Sequence, residues 1–393
     1  MTRLHTLKSL SAAMAVLVMA AGETAFSQEA PKPSTFWGTE TAEAAQLTQQ
    51  YAAKKGTMGQ AQHAMIAACH SRSVDIGLDI LRQGGNATDA FIAVTFADYV
   101  QSPGASSLGG PLGVLVYRAE DQKVDSLVAP LKTVQSPTGQ WRSGDTAQGK
   151  QVLIPGALAG LEALHTKYGK LPWRDLVTPA ANLARDGFTV DYMYAAIVSA
   201  YAATIKHSPY GAATYFHADG TPVTAGETLK LPVIADTLDA IAAKGAGYMY
   251  TGSWAVEAVR SLTAEGGEMT LKDLADYKPE WSQPLHIVYR GRDIYALSGH
   301  NSGGARLLLA LKVLQHTDIT AIGHYSESLD SLETMIRISR VVTTEPSLGA
   351  QSFFDDPPSL ADPAGWTSRR WPVAGRHQQD GSYLSPATGF AQL

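Results

Sequence analysis

Two apolar segments, each interrupted by a short polar turn, limit the folds that this chain can adopt. The first lies at 113–128 and the second at 285–297. Apolar runs of this length around a tight turn are typical of antiparallel β-hairpins. Between them, from Pro155 to Leu262, leucine, isoleucine and alanine recur mainly at helical spacing. Strands in antiparallel pairs and helices in blocks predict a layered α+β fold and argue against an alternating βαβ sheet.

Local signals place the ends of several helices. Gly84 and Gly85 end the first predicted helix, because glycine readily adopts the backbone conformation found just past a helix end. Either Asn86 or Thr88 can cap the helix that follows. Thr270, with an acidic residue three positions later at Asp273, has the spacing of a capping box.

The first 27 residues differ in character from the rest of the chain. Arg3 and Lys8 precede an apolar run from Ala12 to Ala21, and small residues follow at Ala25 and Ser27. This pattern is typical of a secretory signal peptide. The run is shorter than the ~20 apolar residues of a membrane-spanning helix, although an uncleaved anchor is the alternative.

The sequence therefore predicts four segments. Residues 1–27 are the signal peptide, 28–60 a polar lead-in, 61–342 the α+β domain, and 343–393 an irregular tail rich in proline and glycine. Because no later stretch is long and apolar enough to cross a membrane, we expect a periplasmic or secreted protein without membrane contact once the signal peptide is removed.

Charge and cysteine content exclude several functional classes. Lys and Arg number 31 against 36 Asp and Glu, a net charge of −5 without a basic cluster, so nucleic acid is not an expected partner. The single cysteine, Cys69, can form neither an internal disulfide nor a cysteine-based zinc site, and we expect it to be buried as a small apolar residue. The histidines lack metal-ligand spacing, so the sequence predicts no metal and no cofactor.

The loop from Ser102 to Gly110 is the candidate for substrate contact. Its four glycine or proline residues exclude a helix, and backbone N–H groups beside Ser106 and Ser107 can face a ligand. A purely structural turn is the alternative. There is no Gly-x-Ser-x-Gly elbow, and neither Cys69 nor any serine has an evident base, so the residues alone predict no catalytic constellation.

Residues 77–90 read Gly-Leu-Asp-Ile-Leu-Arg-Gln-Gly-Gly-Asn-Ala-Thr-Asp-Ala, and this block resembles the γ-glutamyltransferase (γ-glutamyltranspeptidase) family. Further blocks resemble the family in the same order, up to about residue 305. They are Ser106–Gly110, Pro155–Leu161, Tyr168–Trp173, Pro179–Ala180 with Gly187–Phe188, Ala235–Leu238, Tyr250–Gly252, Leu271–Tyr277 and Ser302–Gly304. Agreement of many blocks in register is far more specific than one motif.

The resemblance implies an N-terminal nucleophile hydrolase. In that family a precursor cleaves itself, and the new N-terminal Thr of the small subunit attacks a γ-glutamyl amide with its own α-amine as base. The fold that the resemblance implies is the large-subunit part of a four-layer αββα sandwich. The implied partners are a small subunit that carries this Thr and a γ-glutamyl or related small-molecule substrate.

Two departures from the family pattern shape the expected function. The chain ends at Leu393, about where the family's small subunit begins, so we expect it to lack the nucleophile. The family's Leu-Asp-x-Arg-Glu-x-Ala-Pro pattern aligns with 127–134, which places Pro130 where an Arg grips the substrate carboxylate. If 127–132 is extended, Lys132 lies on the same side as Pro130, and it is our candidate to supply the missing positive charge.

Three hypotheses follow. The chain is the large subunit of a γ-glutamyl transfer or hydrolysis enzyme that acts on glutathione-type substrates and needs a separate small subunit. Alternatively, it is a non-catalytic exported remnant or binding module. A third possibility is a relative that acts on another acyl substrate, such as a β-lactam side chain or a poly-γ-glutamate capsule, which the replacement of Arg by Pro130 favours.

Overall fold

The computed structural model describes residues 60–102, 104–137, 149, 152–298, 302–315, 318 and 321–344. The chain divides into two units, 1–65 and 66–393, and all the elements described below belong to the second. The predicted signal peptide and nearly all of the polar lead-in lie outside the described residues. Within the described residues, no helix is long and apolar enough to cross a membrane.

Helices make up most of the described chain. In order they are α1 (Ser71–Arg82), α2 (Ala87–Gln101), α3 (Ala157–Tyr168), α4 (Trp173–Asp186), α5 (Tyr192–Ala200), α6 (Ala202–His207), α7 (Pro209–Tyr215), α8 (Pro232–Lys244), α9 (Gly247–Tyr250), α10 (Ser253–Ala264), α11 (Leu271–Ala275), α12 (Ser302–Leu314) and α13 (Leu329–Thr344). The strands are β1 (Leu112–Arg118), β2 (Lys123–Ala129), β3 (Phe188–Thr189), β4 (Thr228–Leu229), β5 (Glu280–Ser282), β6 (Leu285–Tyr289) and β7 (Arg292–Ala296).

Both predicted hairpins are confirmed. Strands β1 and β2 pair antiparallel from Leu112 opposite Ala129 to Arg118 opposite Lys123, and β6 pairs antiparallel with β7. Two strand pairings were not predicted: β5 joins the free edge of β2, and β3 pairs with β4. These strands have two or three residues each, which is too short for a period-two pattern to be recognised.

Four packed helices, α1, α2, α4 and α8, form the centre of the main core. Helix α2 is buried around most of its circumference and packs against α1 and α4, while α4 also packs against α8. Phe96 of α2 meets the ring of Trp173 edge to face, and the Trp173 indole N–H donates to the Ile241 carbonyl at 3.0 Å. Helix α3 covers one face of the β1–β2 sheet, because Gly160 lets the helix approach Ala129 closely.

A second, smaller core lies at the other hairpin. Leu285, Ile287 and Ala296 of β6 and β7 are buried against Leu308 and Leu309 of α12. The last helix of the described residues, α13, packs on α12 and ends at Thr344, so it includes the first two residues of the predicted irregular tail. The rest of that tail lies outside the described residues.

The predicted helix boundaries are confirmed at the capping residues. Of the two alternatives for α2, the cap is Asn86, which forms a capping box with Asp89. Thr270 and Asp273 form the second capping box, at the start of α11. The expectation for Cys69 was wrong: the thiol is exposed, because Cys69 precedes α1 in a segment without regular structure.

Candidate functional site

Three segments meet at the end of strand β2, and we call them the candidate site: residues 104–110, 130–132 and 154–157. Lys132 and Ile154 form an isolated antiparallel bridge, with N–H to carbonyl distances of 3.1 and 2.8 Å. From the other side, the Gly110 carbonyl accepts hydrogen bonds from the N–H groups of Gly156 (3.1 Å) and Ala157 (2.9 Å). The segment 154–157 therefore holds the glycine-rich loop and the Lys132 segment together.

Gly156 permits this close approach. A Cβ atom at this position would lie 2.3 Å from both the Ala129 carbonyl oxygen and the Tyr277 hydroxyl. The Tyr277 hydroxyl donates to the Pro130 carbonyl at 2.7 Å, so it fixes the backbone just past the end of β2. Any side chain at Gly156 would push these groups apart, because protein interiors are close-packed.

Lys132 is placed near Pro130 but is already paired. Its Nζ donates to Glu280 Oε1 at 3.0 Å and to the Lys278 carbonyl at 3.1 Å. The same ammonium lies 5.1 Å from the centre of the Tyr277 ring. The segment is not a continuous strand, since β2 ends at Ala129 and the next bridge is at Lys132. The simple alternation expected for 127–132 therefore stops at Pro130, which cannot donate a ladder hydrogen bond.

Ser106 and Ser107 lie in the glycine-rich loop and stabilise its turns. The N–H of Ser106 donates to the Ser102 carbonyl at 3.1 Å, and its hydroxyl donates to the Asp98 carbonyl at 3.4 Å. The Ser107 carbonyl accepts from the Gly110 N–H at 3.1 Å. Within the described residues, no hydrogen bond joins either serine to Lys132. The structure therefore places Ser106 and Ser107 in one segment of the candidate site and Lys132 in another.

The motif that most resembled the family has a structural role. Asn86 and Asp89 exchange side-chain to backbone hydrogen bonds of 2.9 Å at the start of α2. The fully buried Asp89 carboxylate also accepts from the N–H groups of Lys170 (3.0 Å) and Leu171 (3.3 Å). The Asn86 amide donates to the Tyr168 carbonyl at 2.7 Å. This motif therefore ties α2 to the turn between α3 and α4.

A serine with an adjacent base escaped the sequence reasoning. His70 Nε2 lies 2.8 Å from Ser102 Oγ, and His70 Nδ1 lies 3.5 Å from Asp191 Oδ2. Nothing in the sequence pattern predicted this pair. The sequence does predict two consecutive helices joined by a short turn. Two such helices pack side by side, and this places the residue before α1 next to the residue after α2. Among the described residues, no three His, Cys, Asp or Glu side chains group as metal ligands.

The comparisons with known proteins agree with the motifs. The family described as Gamma-glutamyltranspeptidase matches residues 73–379. The chain is 29% identical over 318 residues to the glutathione hydrolase proenzyme of Escherichia coli (strain K12), which covers 76% of this chain and 53% of that protein. It is 31% identical over 324 residues to the glutathione hydrolase proenzyme of Bacillus subtilis (strain 168), an alignment that covers 79% of this chain and 52% of that protein. The chain thus spans about half the length of these relatives.

A solved structure shows the same fold. The γ-glutamyltranspeptidase of Pseudomonas nitroreducens, solved in complex with L-DON, superposes with a TM-score of 0.69 at 26% identity. The superposition covers 78% of this chain and 95% of that chain. The α+β fold predicted from the sequence is therefore that of the N-terminal nucleophile hydrolases. Family pattern, relatives and fold agree over most of the described residues, and the chain belongs to the γ-glutamyltranspeptidase family.

Proposed function

We propose that this chain is the large-subunit part of an enzyme that transfers or hydrolyses γ-glutamyl groups. It acts with a small subunit whose N-terminal Thr is the nucleophile. The observation that carries this proposal is the family match over 73–379, combined with a length about half that of the proenzyme relatives. In this proposal the candidate site is the part of the substrate pocket that the large subunit contributes. The glutathione hydrolase names of the relatives suggest glutathione-type donors.

The proposal also includes the segment and location predictions. Residues 1–27 direct export and are removed, which leaves the mature protein in the periplasm or outside the cell. The segment 343–393 leads to the point where the large subunit ends and the Thr segment begins. Supporting this order, the family pattern extends from the folded domain through residue 379.

A second candidate substrate class rests on Pro130. Proline cannot form the planar, bidentate contact by which an arginine grips a carboxylate. Lys132 is the nearest replacement on this segment, but its ammonium is engaged by Glu280 and the Lys278 carbonyl. The alternative is therefore an enzyme related to the γ-glutamyl enzymes that acts on another acyl group. Its donor either lacks an α-carboxylate or has one that the site binds only weakly.

The test of the enzyme is reconstitution with a Thr segment. The full coding region, including whatever follows codon 393, is expressed and assayed with a chromogenic γ-glutamyl anilide, with and without an acceptor dipeptide. We expect turnover that is abolished when the N-terminal Thr of the small subunit is replaced by Ala. If the coding region holds no Thr segment, or the matured protein releases no anilide, the enzyme proposal fails and the binding-module hypothesis replaces it.

The test of the substrate class uses Lys132 in the reconstituted protein. If Lys132 binds the donor carboxylate, Lys132→Ala raises KM roughly 10-fold, in line with ~1.5–3 kcal/mol for a charged hydrogen bond. Glu280→Gln then lowers KM, because it frees the ammonium from its ion pair. Lys278→Ala is the matched control: it removes an exposed lysine side chain beside Glu280 and keeps the backbone carbonyl that Lys132 contacts, so it should leave KM unchanged. Equal KM values in all variants would favour a donor that lacks the carboxylate.

A further inference from the structure

Ser102, His70 and Asp191 form a cluster outside the proposed γ-glutamyl chemistry. Each lies at a helix end: His70 is the N-cap of α1, Ser102 the C-cap of α2, and Asp191 the N-cap of α5. Because α1 and α2 pack together and are joined by a short turn, the beginning of one and the end of the other meet. The ends of packed helices therefore position all three side chains.

The charge of Asp191 decides which nitrogen of His70 carries the proton. One carboxylate oxygen of Asp191 caps α5 by accepting from the Tyr194 N–H at 2.7 Å. The other faces His70 Nδ1 at 3.5 Å, and this negative charge favours a proton on Nδ1. The lone pair then lies on Nε2, which is 2.8 Å from Ser102 Oγ and can accept its proton. Nucleophile, base and orienting carboxylate stand in the order that acyl transfer requires.

A second carboxyl group lies beside this cluster. Asp98 lies close enough to interact with the His70 ring. Burial raises the pKa of the Asp98 carboxyl, while the Ser73 hydroxyl and the His70 ring act in the opposite direction. The cluster keeps limited access to solvent: Ser102 is 8% exposed and the His70 side chain 18%. Only small substrates can reach a serine with so little exposed surface.

We infer that Ser102 is a nucleophile in its own right, separate from the Thr of the proposed small subunit, with His70 as its base and Asp191 as the group that orients His70, and that it takes the acyl group of small, activated carboxylic esters. Ser102 Oγ bonds to the acyl carbon while its proton moves to His70 Nε2. The ester C–O bond breaks, and the same proton leaves with the alcohol. Water then attacks the acyl-serine, its proton passing through His70 to Ser102 Oγ, which releases the carboxylic acid.

The test uses the full chain without any small subunit, so that its outcome is independent of the γ-glutamyl proposal. The probes are p-nitrophenyl acetate for turnover and a fluorophosphonate for covalent labelling, with the labelled residue identified by mass spectrometry. We expect labelling at Ser102, its loss in Ser102→Ala, and a decrease of roughly 100-fold or more in ester hydrolysis in His70→Gln, the usual size of a general-base effect.

Two variants separate this chemistry from simple folding effects. Asp191→Asn keeps the α5 cap, because Asn caps as well as Asp, yet removes the charge beside His70. We expect an unchanged melting temperature with hydrolysis slower by about 10-fold, a pattern that a merely structural role would not produce. Ser73→Ala removes a nearby buried serine whose hydroxyl donates to Gln101 instead of a histidine. The fluorophosphonate should still label Ser102 in this variant. Absence of labelling in the natural chain, labelling at another residue, or equal rates in His70→Gln would overturn the inference.

Discussion

At the scale of single residues, Asp125 of β2 forms polar contacts that join the sheet to helix α3. Its carboxylate accepts from Lys167 Nζ at 2.8 Å and from the Tyr168 hydroxyl. The Lys167 ammonium also lies 4.0 Å from the centre of the Trp281 ring on β5. The hydrogen bond from Lys167, followed by that from Tyr168, lowers the pKa of Asp125. Asp125 thus links β2 to α3, and Lys167 extends this contact to β5.

We predict a pH-dependent loss of stability in Asp125→Asn. Because the pKa is lower in the folded protein than in the unfolded chain, the contribution of Asp125 is complete above its unfolded pKa, near 4, and is lost as pH falls through the folded pKa. At pH 7 the variant should lose about 1 kcal/mol of unfolding free energy, a modest value because Lys167 is 42% exposed and solvent screens the pair.

Urea unfolding at pH 7 and again near pH 3 checks this prediction. The difference between the natural chain and Asp125→Asn should shrink at the lower pH. Glu257→Gln, which breaks the well-exposed pair with Arg260, is the control and should change the unfolding free energy by less than about 0.5 kcal/mol. An Asp125→Asn variant as stable as the natural chain at pH 7 would contradict the assignment.

At the scale of secondary-structure elements, the start of α2 is the junction that organises the helical core. The Asp89 carboxylate accepts hydrogen bonds from three backbone N–H groups, those of Asn86, Lys170 and Leu171. These belong to the cap of α2 and to the turn that leads into α4, two helices that pack directly on each other. The helix cap therefore also sets how α2 and α4 meet.

We predict that Asp89→Ala lowers the unfolding free energy by about 3 kcal/mol. The substitution leaves three partly buried backbone N–H groups without their acceptor, each at a cost of ~1 kcal/mol, and removes a helix cap. Thermal unfolding followed by circular dichroism measures the loss. Asp79→Ala, at an exposed aspartate of α1 that pairs with Arg82, should stay within about 0.5 kcal/mol of the natural chain. Comparable losses in both variants would refute a special role for Asp89.

At the scale of the whole molecule, the last helix leaves an apolar surface uncovered. Leu329 is 83% exposed and Ile336 50% exposed on α13, and Leu332 and Met335 of the same helix are also exposed. Leu307 on the neighbouring α12 is exposed as well. An apolar surface of this kind marks either an interface or a tendency to aggregate.

We predict that the chain alone binds a dye specific for exposed apolar surface and self-associates. The double variant Leu329→Glu with Ile336→Glu should reduce dye fluorescence by about half or more without lowering the melting temperature, because neither side chain is buried. Val256→Glu is the control: an exposed valine on α10, away from this surface, whose replacement should leave dye binding unchanged. A monomeric natural chain without dye fluorescence would contradict the prediction.

Over the molecule as a whole, what the sequence determined is local in origin. The hairpin at 113–128, the cap at Thr270 and the helix end at Gly84 depend on residues within a few positions of each other. Such signals survive in the sequence because turn and cap geometry restricts which residue types fit. The family itself was recognised in the same way, since its strongest motif encodes a cap.

Only the tertiary structure decided which distant side chains meet. Lys132 pairs with Glu280 across 148 positions, and the third strand of the sheet, β5, is too short to show a pattern of its own. Ser102 acquires His70 as a base because two packed helices bring their outer ends together. Packing and hydrogen bonding across the whole fold determine which of these distant residues become partners. The residue types alone do not show how far apart two residues lie in the folded chain.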